Sequence, residues 1–119
     1  MSLVKLNVGW LGVRIQDVTK EIAEIENLDE PRGALVASVA PNSPSEKAGV
    51  KAGDIILEFN GERIQEMKEL PIIVARTEVG KKVKVKIWRN KKEIIKTYYY
   101  LEDLKLQRIL KLKRKILPS

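Results

Sequence analysis

The stretch that most constrains this chain is Gly33 to Gly61, GALVASVAPNSPSEKAGVKAGDIILEFNG. Gly33 to Val39 is small and β-branched, the composition of a buried strand. In Ser43-Pro44-Ser45-Glu46, Ser43 is placed to cap a helix, Pro44 falls at the first helical position, and Glu46 falls at the third. That is a capping box with a proline where its missing N–H costs nothing. Gly49 is the residue able to turn left-handed and end the helical turn, with Val50 set to fold back onto it. Gly53-Asp54 makes the next reversal, Ile55 to Phe59 is a second apolar strand, and Asn60-Gly61 is a strong two-residue turn signal.

Less sharply defined segments flank this core. Val4, Leu6 and Val8 alternate with polar residues, as in a half-buried strand. Gly9-Trp10-Leu11-Gly12-Val13 then sets two large apolar residues between glycines, which implies tightly bent backbone. Val13 and Ile15 alternate with Arg14 and Gln16, so a second strand runs to about Asp17. Val18, Ile22 and Ile25 lie on one face of a short helix capped by Thr19. Glu62-Arg63-Ile64 is a short return strand. A second helix lies between Gln65 and Glu78, its regular part beginning close to Pro71, and Leu70, Ile73, Val74 and Thr77 share its apolar face. Val83, Val85 and Ile87 alternate with Lys82, Lys84 and Lys86. With the return from Glu93 to Tyr100 they make a hairpin with one wet, lysine-rich face.

The chain has 119 residues, one domain's worth, without cysteine or histidine. Disulfides, Ser-His-Asp and Cys-His catalysis and imidazole metal sites are therefore excluded. No run approaches the length of a membrane span. No signal peptide is visible at Met1-Ser2-Leu3, and the start reads as that of a cut-out fragment. Of the net charge of +7, +4 falls in residues 101–119, where six basic residues face Glu102 and Asp103. The basic character belongs largely to this tail. Its stripe Leu106, Ile109, Leu110 and Leu117 is expected to pack as a helix, although Leu110 to Lys113 fits a strand equally well.

The run Val39-x-x-x-Ser43-Pro44-x-x-x-Ala48-Gly49-Val50-x-x-Gly53-Asp54-Ile55-Ile56-x-x-x-Asn60-Gly61 resembles a PDZ domain. It is most similar to those of HtrA/DegP-type bacterial serine proteases. The resemblance covers about Gly9 to Tyr100, so a PDZ domain is expected over 1–101 and a basic amphipathic tail or linker over 102–119. It implies a mainly β fold with two short helices, a partly open β-barrel or sandwich of five to six strands in the bacterial, permuted strand order. Gly49, Gly53, Asp54 and Gly61 are scaffold in this view.

The resemblance also implies peptide binding by strand addition. Trp10-Leu11-Gly12-Val13 matches the family's carboxylate-binding loop, with the amides of Leu11, Gly12 and Val13 as anion donors. Gly12 would let the peptide approach, so a valine there should weaken binding while the fold survives. Val13, Arg14, Ile15 and Gln16 would form an edge strand with unfilled hydrogen bonds. Leu11, Val13, Ile15, Leu70, Ile73 and Val74 would line an aliphatic pocket. For Ile73, core and pocket are equally good readings. With no histidine at the second helix, selection of Ser or Thr in the ligand should be absent, and a hydrophobic terminal residue preferred. Arg14 and Lys68 are read as solvated surface charges.

The expected function is thus non-catalytic recognition of C-terminal or exposed hydrophobic segments for an attached HtrA-type protease of the periplasm or cell envelope. No cofactor and no metal are expected. The partners are C-terminal or unfolded polypeptide segments and the parent's protease domain, with homo-oligomers formed through the parent and the fragment itself a monomer or weak dimer. Two rivals are a PDZ domain of a tail-processing or membrane-embedded protease, and a basic adaptor for nucleic acid or membrane surfaces. For the second, Tyr98-Tyr99-Tyr100 would offer a stacking surface, but a strand with one tyrosine turned inward is the better reading.

Overall fold

A computed structural model of the chain describes residues 6–8, 11–76 and 82–99. Seven strands and three helices follow one another as β1 Leu6–Val8, β2 Val13–Asp17, α1 Lys20–Ile25, β3 Ala34–Val39, α2 Pro44–Ala48, β4 Ile55–Phe59, β5 Glu62–Arg63, α3 Glu69–Arg76, β6 Lys82–Arg89 and β7 Lys92–Tyr99. They form one open antiparallel sheet in the order β1-β2-β3-β4-β6-β7, with β5 appended to β4. The capped turn at Ser43 is a helix in its own right, which makes three helices among the described residues where two were expected. The tail stripe of Leu106, Ile109, Leu110 and Leu117 lies outside the described residues, as do Trp10 and Thr77.

The helix starts follow from local chemistry. The Thr19 hydroxyl accepts from the Ile22 amide at 3.2 Å, and Ser43 does the same for Glu46 at 3.2 Å. The Glu46 carboxylate reaches back one residue further than a standard capping box, accepting from the Asn42 amide at 2.9 Å. Gly49 ends α2 at φ 88°, a left-handed cap, and the Val50 amide donates to the Ser45 carbonyl at 2.9 Å. Pro71 sits in the first turn of α3, where helical amides lack an intrahelical acceptor in any case. The Glu69 side chain closes that end on the Gln65 amide at 2.8 Å.

β4 is apolar on both faces because both are covered. Ile55 and Leu57 pack with Val18, Ala23 and Leu28 beneath α1, while Ile56 and Phe59 belong to the main core. Strand alternation alone would put Ile56 and Phe59 on opposite faces. A bulge between Ile56 and Glu58 against β6 adds one residue and restores Phe59 to the core side. On β6, Val83, Val85 and Ile87 are buried, whereas Lys82 and Lys84 are exposed and Lys86 is half-buried.

The expected helical face of Val18, Ile22 and Ile25 is only partly realised. Ile25 is 69% exposed, and Ala23 and Leu28 are buried in its stead. The helix is only six residues long, and Asn27 at φ 59° reverses the chain directly behind it. Leu28 therefore closes the cluster, and the Trp88 indole donates to the Glu26 carbonyl at 2.8 Å.

Asp54 is the deepest charged group described. It is 2% exposed, and its carboxylate accepts from Arg89 Nε at 2.8 Å and Nη2 at 2.7 Å and from the Lys51 amide at 2.8 Å. The same Nη2 donates to the Gly49 carbonyl at 2.7 Å. Arg89 thereby ties the end of α2 to the end of β6. Its pKa is raised, first through the hydrogen bonds to Asp54. Nearby, the Ser45 and Tyr98 hydroxyls share a buried hydrogen bond of 2.6 Å, which joins α2 to β7. Tyr98 is the inward tyrosine, buried at 1% exposure.

Candidate functional site

The loop in front of β2 is held from behind. The Leu11 carbonyl accepts from the Ser45 amide at 3.0 Å, and the Gly12 carbonyl accepts from the Ala40 amide at 2.8 Å. Both peptides are trans, as no cis bond is present among the described residues. In a trans peptide the N–H points opposite to the preceding C=O. Anchoring the two carbonyls inward therefore turns the Gly12 amide away from Ser45 and the Val13 amide away from Ala40. Gly12 adopts φ +74°. A left-handed residue between right-handed or extended neighbours brings successive amides into a concave group suited to an anion.

Gly12 is glycine for a reason different from the expected one. A Cβ built there would overlap the Ser43 Cβ and come within 2.9 Å of its Oγ. The position faces the N-cap of α2, inside the molecule. A valine at this position would collide with the scaffold, so the expectation that the fold survives it is corrected.

The six residues expected to line a pocket share one buried cluster. Leu11, Val13 and Ile15 from the loop and β2 join Leu70, Ile73 and Val74 from α3 in the main core cluster. All six are buried, Val74 retaining the most exposure at 7%. Ile73 is core in this structure. Arg14 is exposed on the face of β2 opposite Val13 and Ile15, and Gln16 is half-buried. Lys68 is exposed and pairs with Glu66 at 3.3 Å.

The edge of β2 departs from expectation. β1 lies along it in antiparallel register, with Leu6 opposite Ile15, Asn7 opposite Arg14 and Val8 opposite Val13. β3 holds the other side, with a bulge between Arg14 and Ile15. Over Val13 to Ile15 the strand is thus paired on both sides, and Gln16 lies beyond the register with β1. Neither the periodicity of β2 nor that of residues 4–8 carried a sign of this pairing, since two adjacent alternating segments fit many registers.

Elsewhere, one shallow cleft lies on the lysine-bearing face beside Glu58, Gly61, Lys84 and Ile95, and another between β5 and α3 beside Arg63, Glu69 and Ile72. Among the described residues no group of three or more potential metal ligands comes together.

Comparison with known proteins places this geometry. The model of the PDZ domain family matches residues 9–95. A probable periplasmic serine endoprotease DegP-like of Marinomonas sp. is 53% identical over 89 residues, which covers 75% of this chain and 19% of that protein. The Rickettsia conorii protein of the same description is 47% identical over 90 residues, covering 76% and 18%. The chain thus spans about a fifth of the length of these relatives. Among solved structures, the HtrA-type protease AlgW with a decapeptide superimposes with a TM-score of 0.65 at 30% identity, over 82% of this chain and 29% of that one. The HtrA3 PDZ domain bound to a phage-derived ligand shares the fold, with a TM-score of 0.61 at 23% identity over 82% of this chain and 86% of that one. With the family match running through the loop, β2, the helices and most of the final hairpin, the chain belongs to the PDZ domain family.

Proposed function

We propose that this chain is a non-catalytic peptide-binding module. In this reading it holds the C-terminus, or an exposed hydrophobic segment, of an unfolded polypeptide for an HtrA-type serine protease of the periplasm. The observation that carries the reading is the loop at Leu11 to Val13. Its carbonyls are tied back to Ala40 and Ser45, its Gly12 and Val13 amides turn away from those two residues, and the aliphatic cluster of β2 and α3 lies beside it. Two amide donors favour a carboxylate, and the aliphatic side chains favour a hydrophobic terminal residue next to it. The relatives named as periplasmic serine endoproteases, and AlgW with its bound decapeptide, support the class of parent and of ligand. Delivery of substrates to an attached protease domain belongs to the same proposal. The absence of histidine from the chain is the ground for calling the module itself non-catalytic.

The test is a titration of isotope-labelled chain with a decapeptide ending in a free carboxylate and a large aliphatic residue. The expected result is saturable movement of the Gly12 and Val13 amide signals, with smaller shifts along β2 and α3. Saturable binding that leaves those amides unmoved and shifts the β6–β7 face would place the site elsewhere.

A further inference from the structure

We propose that β1 is an internal ligand of the β2 edge, which an incoming peptide must displace. The inference rests on the peptide-binding reading above and adds a competitor to it. Strand alternation gives the first reason. The Gly12 carbonyl faces Ala40, on the β3 side, so the backbone groups of Val13 and Ile15 face the outer side. These are the groups that a peptide added to the edge would use. In this structure β1 stands opposite them, with Val8 at Val13 and Leu6 at Ile15.

Polarity gives the second reason. A peptide whose carboxylate sits at the Gly12 and Val13 amides, and which pairs antiparallel with β2, runs toward the loop with its last residues near Val13. β1 runs the same way, Leu6 to Val8, ending at Val13. By register, Val8 takes the place of a ligand's terminal residue and Leu6 that of the residue two before it. Both are aliphatic, as the cluster of Leu11, Val13, Ile15, Leu70, Ile73 and Val74 would require. All six are buried within that cluster. β1 does not carry a free carboxylate to the loop, so an external C-terminus has one interaction that the internal strand lacks. That difference lets a peptide win the exchange, and the competition lowers its apparent affinity by the fraction of molecules with β1 released.

Alternation makes Asn7 and Arg14 the pair that exchanges no ladder hydrogen bond, the class of pair in which opposed Cα atoms are closest. The chain has no cysteine, so Asn7→Cys with Arg14→Cys introduces one switchable cross-link. The probe is a fluorescent decapeptide with a free carboxylate and a terminal leucine. It is titrated against oxidised and reduced forms of the full chain, both checked for fold by circular dichroism. The oxidised form should bind at least tenfold more weakly than the reduced form. In the unaltered chain, saturating peptide should strip hydrogen-exchange protection from the Leu6 and Val8 amides. Equal affinity of the two redox forms, or Leu6 and Val8 amides still protected at saturation, overturns the exchange while peptide binding stands. If the cross-linked variant does not fold, the exchange measurement on the unaltered chain decides. Absence of peptide binding by the unaltered chain overturns the peptide reading and the exchange together.

Discussion

The turn around α2 and the loop in front of β2 touch one another, yet they hold their shapes by different means. The α2 turn is specified by residues within it: Ser43 and Glu46 at one end, left-handed Gly49 at the other. The loop has little of its own. Its carbonyls rest on amides of Ala40 and Ser45, and its glycine is required by the position of Ser43. A self-specified segment thus serves as the template for a dependent one. The proposed binding geometry is inherited from scaffold residues that would touch no peptide.

The largest effect should come from loosening the template. Asp54→Ala leaves Arg89 without its buried carboxylate and should destabilise the fold by about 3–5 kcal/mol, read by urea unfolding. A loss below about 1 kcal/mol would mean that the α2 turn does not depend on its tie to β6. Next comes the contact between the two regions. Gly12→Ala forces a side chain into left-handed backbone and onto Ser43, which should cost about 2–4 kcal/mol. Adding Ser43→Gly removes the overlap while keeping a tolerable N-cap, and should restore part of that loss. Strict additivity of the two substitutions would show that they do not meet.

The smallest effect lies behind the template. Tyr98→Phe removes the partner of the buried Ser45 hydroxyl and should cost about 1 kcal/mol. The substitution should also alter the pH dependence. Burial raises the Tyr98 pKa from 10.0 to about 12, against the lowering effect of the Ser45 hydrogen bond. The fold holds the neutral phenol, so this contribution is complete below about pH 10 and is lost as the pH rises through about 12. Unfolding curves between pH 9 and about 12 should fall more steeply for the unaltered chain than for Tyr98→Phe. Parallel curves would show that the hydroxyl is not buried as described.

The same contrast governs what was legible in the sequence. The central strands, the caps and the Asn60-Gly61 turn were readable because their signals lie within a few residues of one another. Asn60 and Gly61 do take positive φ of 52° and 82°. The Asp54–Arg89 pair was not, because nothing local marks two charges far apart in the chain as partners. Ile25 was misplaced because periodicity assumes a helix that continues, whereas Asn27 ends this one. The loop residues rest on resemblance, and the expected tolerance of a valine at Gly12 was mistaken because the constraint on its side chain comes from Ser43, across the fold. The pairing of β1 with β2 is likewise a matter of register between two segments, which neither segment encodes alone.

In the proposed function, the amides oriented by this template hold a terminal carboxylate. The direct measurement compares one decapeptide, ending in leucine, as the free acid and as the C-terminal amide, by calorimetry against the full chain. Charge-assisted hydrogen bonds run about 1.5–3 kcal/mol each, so amidation should weaken binding at least about tenfold. Equal affinity of acid and amide would contradict the claim and point to recognition of internal segments instead.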